Sequence, residues 1–142
     1  MFLSACAGGR QALAVKQFQL RDMFPLLEEE PMVGMEKERR LRGAVSVAER
    51  RQRLGQYYTM VWRDAAGADS GPVEVVFLYQ QGASASLVKR MTKSFPASAR
   101  DGIAEFAVIG DDYFKNGRVL AWKATLSRAG REIASRQSYL WR

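Results

Sequence analysis

Gly102-Ile-Ala-Glu-Phe-Ala-Val-Ile-Gly110, Arg118-Val-Leu-Ala-Trp-Lys-Ala-Thr-Leu126 and Arg131-Glu-Ile-Ala-Ser-Arg-Gln-Ser-Tyr-Leu-Trp-Arg142 decide the fold class. Each run alternates apolar residues with polar or small ones, the period of a half-buried strand. Leu120, Trp122, Ala124 and Leu126 share one face of the middle run, with Arg118 on the same side at its open end. Ile133, Tyr139 and Trp141 share a face of the last run, and Ser127–Gly130 forms a short turn in which Gly130 is free to take positive φ. The expectation is antiparallel β, with a core that includes Trp62, Phe77, Phe106, Leu120, Trp122 and Tyr139.

Upstream of this stretch the same period recurs. Val73–Gln81 is the best isolated strand: Val73, Val75, Phe77 and Tyr79 point one way and Val76 and Leu78 the other. That pattern predicts a central strand covered on both sides. Gln56–Arg63 places Tyr58, Met60 and Trp62 opposite Tyr57, Thr59 and Val61. Leu87, Met91 and Phe95 fit either a helix or one strand face. Neighbouring Thr92, Ser94 and Pro96 favour a strand, at an edge where Lys89 and Lys93 discourage aggregation. Leu13–Arg21 is a first strand with Phe18 and Leu20 on one face.

The helical signals fall between the first strand and Gln56. Glu28-Glu29-Glu30 precedes Pro31, a good first helical residue, so Met32–Arg42 reads as a helix closed by Gly43. Ser46-Val47-Ala48-Glu49 is a capping box, in which the serine accepts from the Glu49 N–H and the glutamate returns to the serine N–H. A short helix then runs to Leu54, with Gly55 as its stop. Asp111–Gly117 reads as turn chemistry, either a hairpin at Asn116-Gly117 or a crossing between sheets. Asp111, Asp112 and Asn116 lack the spacing of a calcium loop.

Composition narrows the chemistry. The chain has 142 residues, 47% of them hydrophobic, which suits one domain with one core. Histidine is absent and cysteine occurs once. Ser-His-Asp and Cys-His catalysis, histidine-ligated zinc and an internal disulfide are therefore excluded. The chain reads as no enzyme, with no cofactor and no metal implied. Carboxylates such as Glu105 and Asp111 are the remaining catalytic option, and they show no paired spacing. The formal charge of +7 is concentrated at Arg39, Arg40, Arg42, Arg50, Arg51 and Arg53. A polyanion is one partner for that segment. The plainer reading is the solvated face of a helical connector, because Glu36, Glu38 and Glu49 interrupt the arginines, and nucleic acid is disfavoured.

Two resemblances add to this. Leu3-Ser4-Ala5-Cys6 resembles the lipobox of bacterial lipoproteins, in which a lipidated cysteine becomes the first mature residue, and Ala7-Gly8-Gly9 suits a flexible tether. The resemblance implies that residues 1–12 are a signal-peptide remnant, lipidation site and tether. It implies Cys6 as the lipidated residue, with a membrane as partner through that anchor. It also implies a periplasm-facing place in the bacterial cell envelope. Ala7 rather than aspartate after the cysteine points to the outer membrane. Strands about ten residues apart, Trp122, the turn at Gly130 and a final aromatic strand are similar to immunoglobulin-like and fibronectin-III-like domains over roughly 56–142. That likeness implies a mainly β, antiparallel two-sheet β-sandwich over 13–142, with one or two short helices in a connector at about 31–54. The leading functional expectation is a lipid-anchored, non-catalytic binding or scaffolding domain with an envelope protein or glycan as partner. The alternative is a soluble basic module that holds a polyanion through Arg39–Arg53.

Overall fold

The computed structural model describes residues 11–22, 29–64, 71–84 and 86–142. Cys6 and the tether that follows it lie outside the described residues. The chain is mainly β, with two antiparallel sheets. One holds β1 (Leu13–Leu20), β2 (Gly55–Arg63) and β5 (Asp101–Ile109) in the order β1-β2-β5. The other holds β3 (Val73–Gln81), β4 (Lys89–Phe95), β6 (Val119–Arg128) and β7 (Arg131–Gln137) in the order β4-β3-β6-β7. The strand expected at 87–95 is β4, and it does lie on an edge.

The two sheets share a core. Tyr58, Met60 and Trp62 of β2 and Phe106 and Val108 of β5 meet Val75 and Phe77 of β3 and Trp122, Ala124 and Leu126 of β6. Phe77 is the hub, with the rings of Tyr58, Tyr79 and Phe106 at 4.6, 5.3 and 5.4 Å. Such pairs add roughly 0.5–1.5 kcal/mol each beyond the area they bury. β3 is central as expected, yet only one of its faces is covered. Glu74, Val76, Leu78 and Gln80 are half-buried on the outer side, because the helices all lie elsewhere.

Two core expectations are corrected. Gln80 pairs with Ala121 but Gln81 with Val119, so the register slips at Leu120. Val119 turns inward and Leu120 is pushed outward to 37% exposure. Tyr139 is 97% exposed, because β7 ends at Gln137 and Ser138 closes the ladder. Ser138 accepts from the Trp122 N–H through Oγ at 2.9 Å and donates its own N–H to the Trp122 carbonyl. The hairpin between β6 and β7 is a two-residue turn with φ 51° at Ala129 and 80° at Gly130, the primed geometry that right-twisted strands prefer.

Helices α1 (Pro31–Leu41) and α2 (Val47–Arg51) form the expected connector between β1 and β2. The Glu49 N–H reaches Ser46 Oγ at 3.1 Å as expected, but the Glu49 carboxylate takes the N–H of Val45 at 2.8 Å, one residue earlier than expected. Gly55 does not act as a helix stop; it opens β2 with φ +144°. A Cβ there would stand 2.3 Å from the Val108 carbonyl. A third helix, α3 (Gly110–Asn116), replaces the hairpin option at 111–117. β5 pairs with β2 and β6 with β3, so the chain must cross between sheets at this point, and a helix makes the crossing.

Leu20, Leu41, Leu54 and Tyr57 form a second apolar cluster on the outer face of the three-stranded sheet. It glues α1 and α2 to that face, and burying each leucine contributes about 1.5–3 kcal/mol. The molecule thus has two unlike ends. The lower end gathers the start of β1, the loops after β2 and β4, and the β6–β7 turn. The upper end gathers the α1–α2 connection, the turn after β3, α3 and the segment after β7.

Candidate functional site

The arginine-rich connector is where sequence placed a charged surface; Arg39, Arg42 and Arg51 are exposed and Arg40, Arg50 and Arg53 half-buried, and most of them also contact the rest of the fold. Arg40 Nε lies 2.7 Å from Glu36 and its Nη1 3.5 Å from Glu105, while its guanidinium stacks 4.5 Å over the Tyr57 ring. Arg39 reaches the same two carboxylates at 3.2 and 3.1 Å. Its guanidinium holds its proton more tightly than usual, mainly through the Glu105 hydrogen bond and then through Glu36. Arg53 donates to the carbonyls of Arg40 and Arg42, and its own carbonyl accepts from the Tyr57 hydroxyl at 2.6 Å. Burial raises the Tyr57 pKa, against the pull of Arg40 and Arg53. Arg50 donates to the Ala44 carbonyl at 3.3 Å, and Arg51 lies 4.0 Å over the Phe114 ring of α3. Arg42 is exposed beside the α1–α2 turn. Five of the six arginines therefore clamp helices to one another or to the sheet; Arg39 and Arg40 share the carboxylates of Glu36 and Glu105, while carbonyls and a ring hold Arg53 and Arg51 without cancelling their charge.

The carboxylates are similarly occupied. Glu105 is held by Arg39 and Arg40, and Asp111 accepts from the Gln52 amide at 3.2 Å. Asp112 accepts from Lys89 at 2.7 Å and from Asn116 at 2.8 Å, and Lys89 also donates to the buried Gln81 at 2.7 Å. Burial raises the Asp112 pKa, but the hydrogen bonds from Lys89, Asn116 and Gln81 outweigh it and hold the carboxyl below its usual range. Tyr79, 3.5 Å from Asp112, is pushed up to about 12 by burial and by that negative charge. These contacts pin α3 onto the edge strand β4; they are joinery and offer no free nucleophile or base.

What the upper end does expose is apolar. Of the thirteen large hydrophobic residues exposed among the described residues, ten lie on the helices, the α1–α2 connection, the turn before β4 or the tail after β7, and the other three, Val61, Ile103 and Leu120, lie on strands. Met32 and Met35 on α1 are 73% and 68% exposed, Val45 and Val47 on the connection 86% and 61%, and Tyr139 and Leu140 97% and 59%. Large exposed apolar residues are candidate contacts for another molecule, and unbranched methionines adapt to varied surroundings. Beside them, Gly34, Lys37, Glu38, Leu41, Arg42 and Gly43 help to line a cleft of about 480 Å³, into which Glu29 and Lys37 bring a 2.9 Å ion pair. Five of the nine lining residues are charged, Glu29, Lys37, Glu38, Arg42 and Arg50.

Sequence reasoning missed one cation altogether. Arg128, 2% exposed, donates to Asp64 at 2.7 Å, to the carbonyls of Gly71 and Ala97 at 3.0 and 2.9 Å, and to that of Ala99 at 2.6 Å. It ties three loops of the lower end together. Its signal was present in the alternation, since Arg128 continues the inward series Trp122, Ala124, Leu126. Comparison with protein-family models, with curated proteins and with solved structures finds no match.

Proposed function

We propose that the protein is a lipid-anchored component of the bacterial cell envelope, a non-catalytic domain that holds another envelope molecule on its helical upper end. Leu3-Ser4-Ala5-Cys6 carries the anchor reading. The gathering of exposed apolar residues on the helices, turns and tail of the upper end supports the binding reading. The engagement of Arg39, Arg40, Arg50, Arg51 and Arg53 in intramolecular contacts weighs against the polyanion alternative.

The strand orders support the immunoglobulin-like sandwich. Lettered A, B, C, C′, E, F and G along the chain, they read A-B-E against C′-C-F-G, with the fourth strand on the C-F-G sheet as in variable-type domains. The buried tryptophans stand on the second and sixth strands rather than the third, so the likeness rests on strand order.

The test is membrane fractionation of cells expressing the gene from its native locus, with an alkyne-palmitate label. Cys6→Ser is expected to abolish labelling and release the protein to the soluble fraction, since each buried methylene of an acyl chain contributes about 0.8 kcal/mol. An unchanged distribution defeats the anchor.

A further inference from the structure

The outer face of the three-stranded sheet is covered along only part of its length. The rows Phe18–Tyr57–Ala107 and Leu20–Gly55–Ile109 belong to the apolar cluster under α1 and α2. Two rows lower, Ala14, Val61 and Ile103 stand side by side, with no helix or strand among the described residues packed over them. Val61 is 38% and Ile103 60% exposed. Among the described residues they are the two exposed large hydrophobics on the three-stranded sheet. They help to line a groove of about 580 Å³ with Gln11, Arg63 and Asp101 at its rim.

The charges around this row differ from those of the helical cap. Lys16 and Arg63 share the face of this row one step above and one step below it, exposed Arg100 precedes Asp101 at the rim, and among the described residues none of the three has an ion-pair partner. Asp101 is the acid at the rim, so three cations against one anion leave an excess of two positive charges. Arg100 is fixed at this corner by its carbonyl, which accepts from the Asp64 N–H at 2.7 Å.

The corner is also where the chain enters β1. Leu13 pairs with Trp62 and the Arg63 N–H binds the Ala12 carbonyl at 2.8 Å. Residues 7–12 separate Cys6 from β1, and six residues reach at most roughly 20 Å. A second copy is the other candidate to cover the row. A two-fold contact would bring the same patch against itself and set the unpaired cations facing one another. An anionic surface relieves that charge instead.

Building on the lipid-anchor reading, the geometry points to this corner as the face that rests on anionic phospholipid. Val61 and Ile103 sit at the boundary of headgroups and acyl chains, and Lys16, Arg63 and Arg100 sit on phosphates. The lipidated chain therefore stands on its lower corner and turns the α1–α2 connection, α3 and the segment after β7 towards the periplasm.

The test replaces the natural anchor, so its failure is separable from failure of lipidation. The full chain with Cys6→Ser carries an N-terminal hexahistidine and is held on nickel-chelating lipid in phosphatidylethanolamine–phosphatidylglycerol vesicles. An environment-sensitive fluorophore is placed at Ile103→Cys or Val61→Cys, and at Met35→Cys as the control. Blue-shifted emission and quenching by brominated acyl chains are expected at 103 and 61 and not at 35. Without the tag, Lys16→Gln, Arg63→Gln and Arg100→Gln together are expected to weaken binding to these vesicles roughly a hundredfold at low ionic strength. Probes at 103 and 61 that stay in water on vesicle-bound protein overturn the proposal. So does quenching at 35 equal to that at 103, or burial of 103 in a dimer formed without lipid.

Discussion

Arg128→Met should be the most damaging single change at the lower end. The side chain is 1% exposed and its four hydrogen bonds engage Asp64 and the carbonyls of Gly71, Ala97 and Ala99. Its removal leaves the Asp64 carboxylate, 12% exposed, without its cation. Breaking a buried pair by deleting one partner costs about 3–5 kcal/mol. The three carbonyls belong to loops and recover water in part, so they add less than the 1–3 kcal/mol of a fully orphaned acceptor. A loss of about 3–5 kcal/mol is a large share of the roughly 5–15 kcal/mol that a domain of this size holds. It corresponds to a fall in Tm of roughly 6–20 °C. Urea denaturation followed by tryptophan fluorescence reads it, because Trp62 and Trp122 report from the core. Arg128→Lys keeps the charge but not the planar fork, and should recover less than half of the loss. Arg128→Met with Asp64→Asn removes the orphaned charge and should cost less than the sum of the two single changes. A cost below about 1 kcal/mol for Arg128→Met, or strict additivity in the double variant, refutes this reasoning.

Two further outcomes are expected. Trp122→Ala should cost about 3–5 kcal/mol by leaving a cavity against Phe77 and Tyr58, whereas Tyr139→Ala should cost less than about 0.5 kcal/mol; denaturant midpoints separate them. Asp112→Asn should be slightly destabilising near neutral pH, by less than about 1 kcal/mol because the pair is partly exposed. The folded-state pKa of Asp112 is depressed, so the pair's contribution is present above the unfolded value near 4 and is lost as pH falls through the folded one. Melting curves of the variant and the parent should therefore converge below about pH 4, and a gap that stays constant down to pH 2 would show that Lys89 gains nothing from the charge.

Strand periodicity carried far in this chain because the core is two-sided and strictly alternating. Tyr58, Met60 and Trp62 inward and Tyr57 outward could be read directly, since a sheet with a buried inner face enforces a period of two. The reading failed where the period breaks. Leu120 continues the alternation of Trp122 on paper, but the extra residue opposite Gln80 and Gln81 reverses its side, and no local residue announces that bulge. Tyr139 failed for a different reason: Ser138 ends the ladder by bonding Trp122, a contact between residues sixteen apart. Asn116-Gly117 is a true turn signal, and Gly117 does take φ +83°. It ends a helix instead of closing a hairpin because the pairing of β5 with β2 is decided far away. The arginines of 39–53 were legible as a cluster but not as clamps, since Glu105 and Phe114 lie many residues downstream.

The placement of charge and apolar surface along the long axis bears on how such a domain would work. Arginines that the sequence concentrates in the connector hold α1 and α2 to one another and to the sheet. On the proposed function, a partner that meets Met32, Met35, Val45 and Val47 gains from apolar contact. Rigid support comes from below, through the shared core and the Arg128 junction, so the helical end is presented by a scaffold whose own stability does not depend on the partner. Strands of nine residues hold that end roughly 30 Å from the corner where the chain enters β1. On the proposed function the separation keeps the anchored end apart from the binding end, and substitutions in Met32, Met35, Val45 or Val47 should alter partner binding without moving the unfolding midpoint.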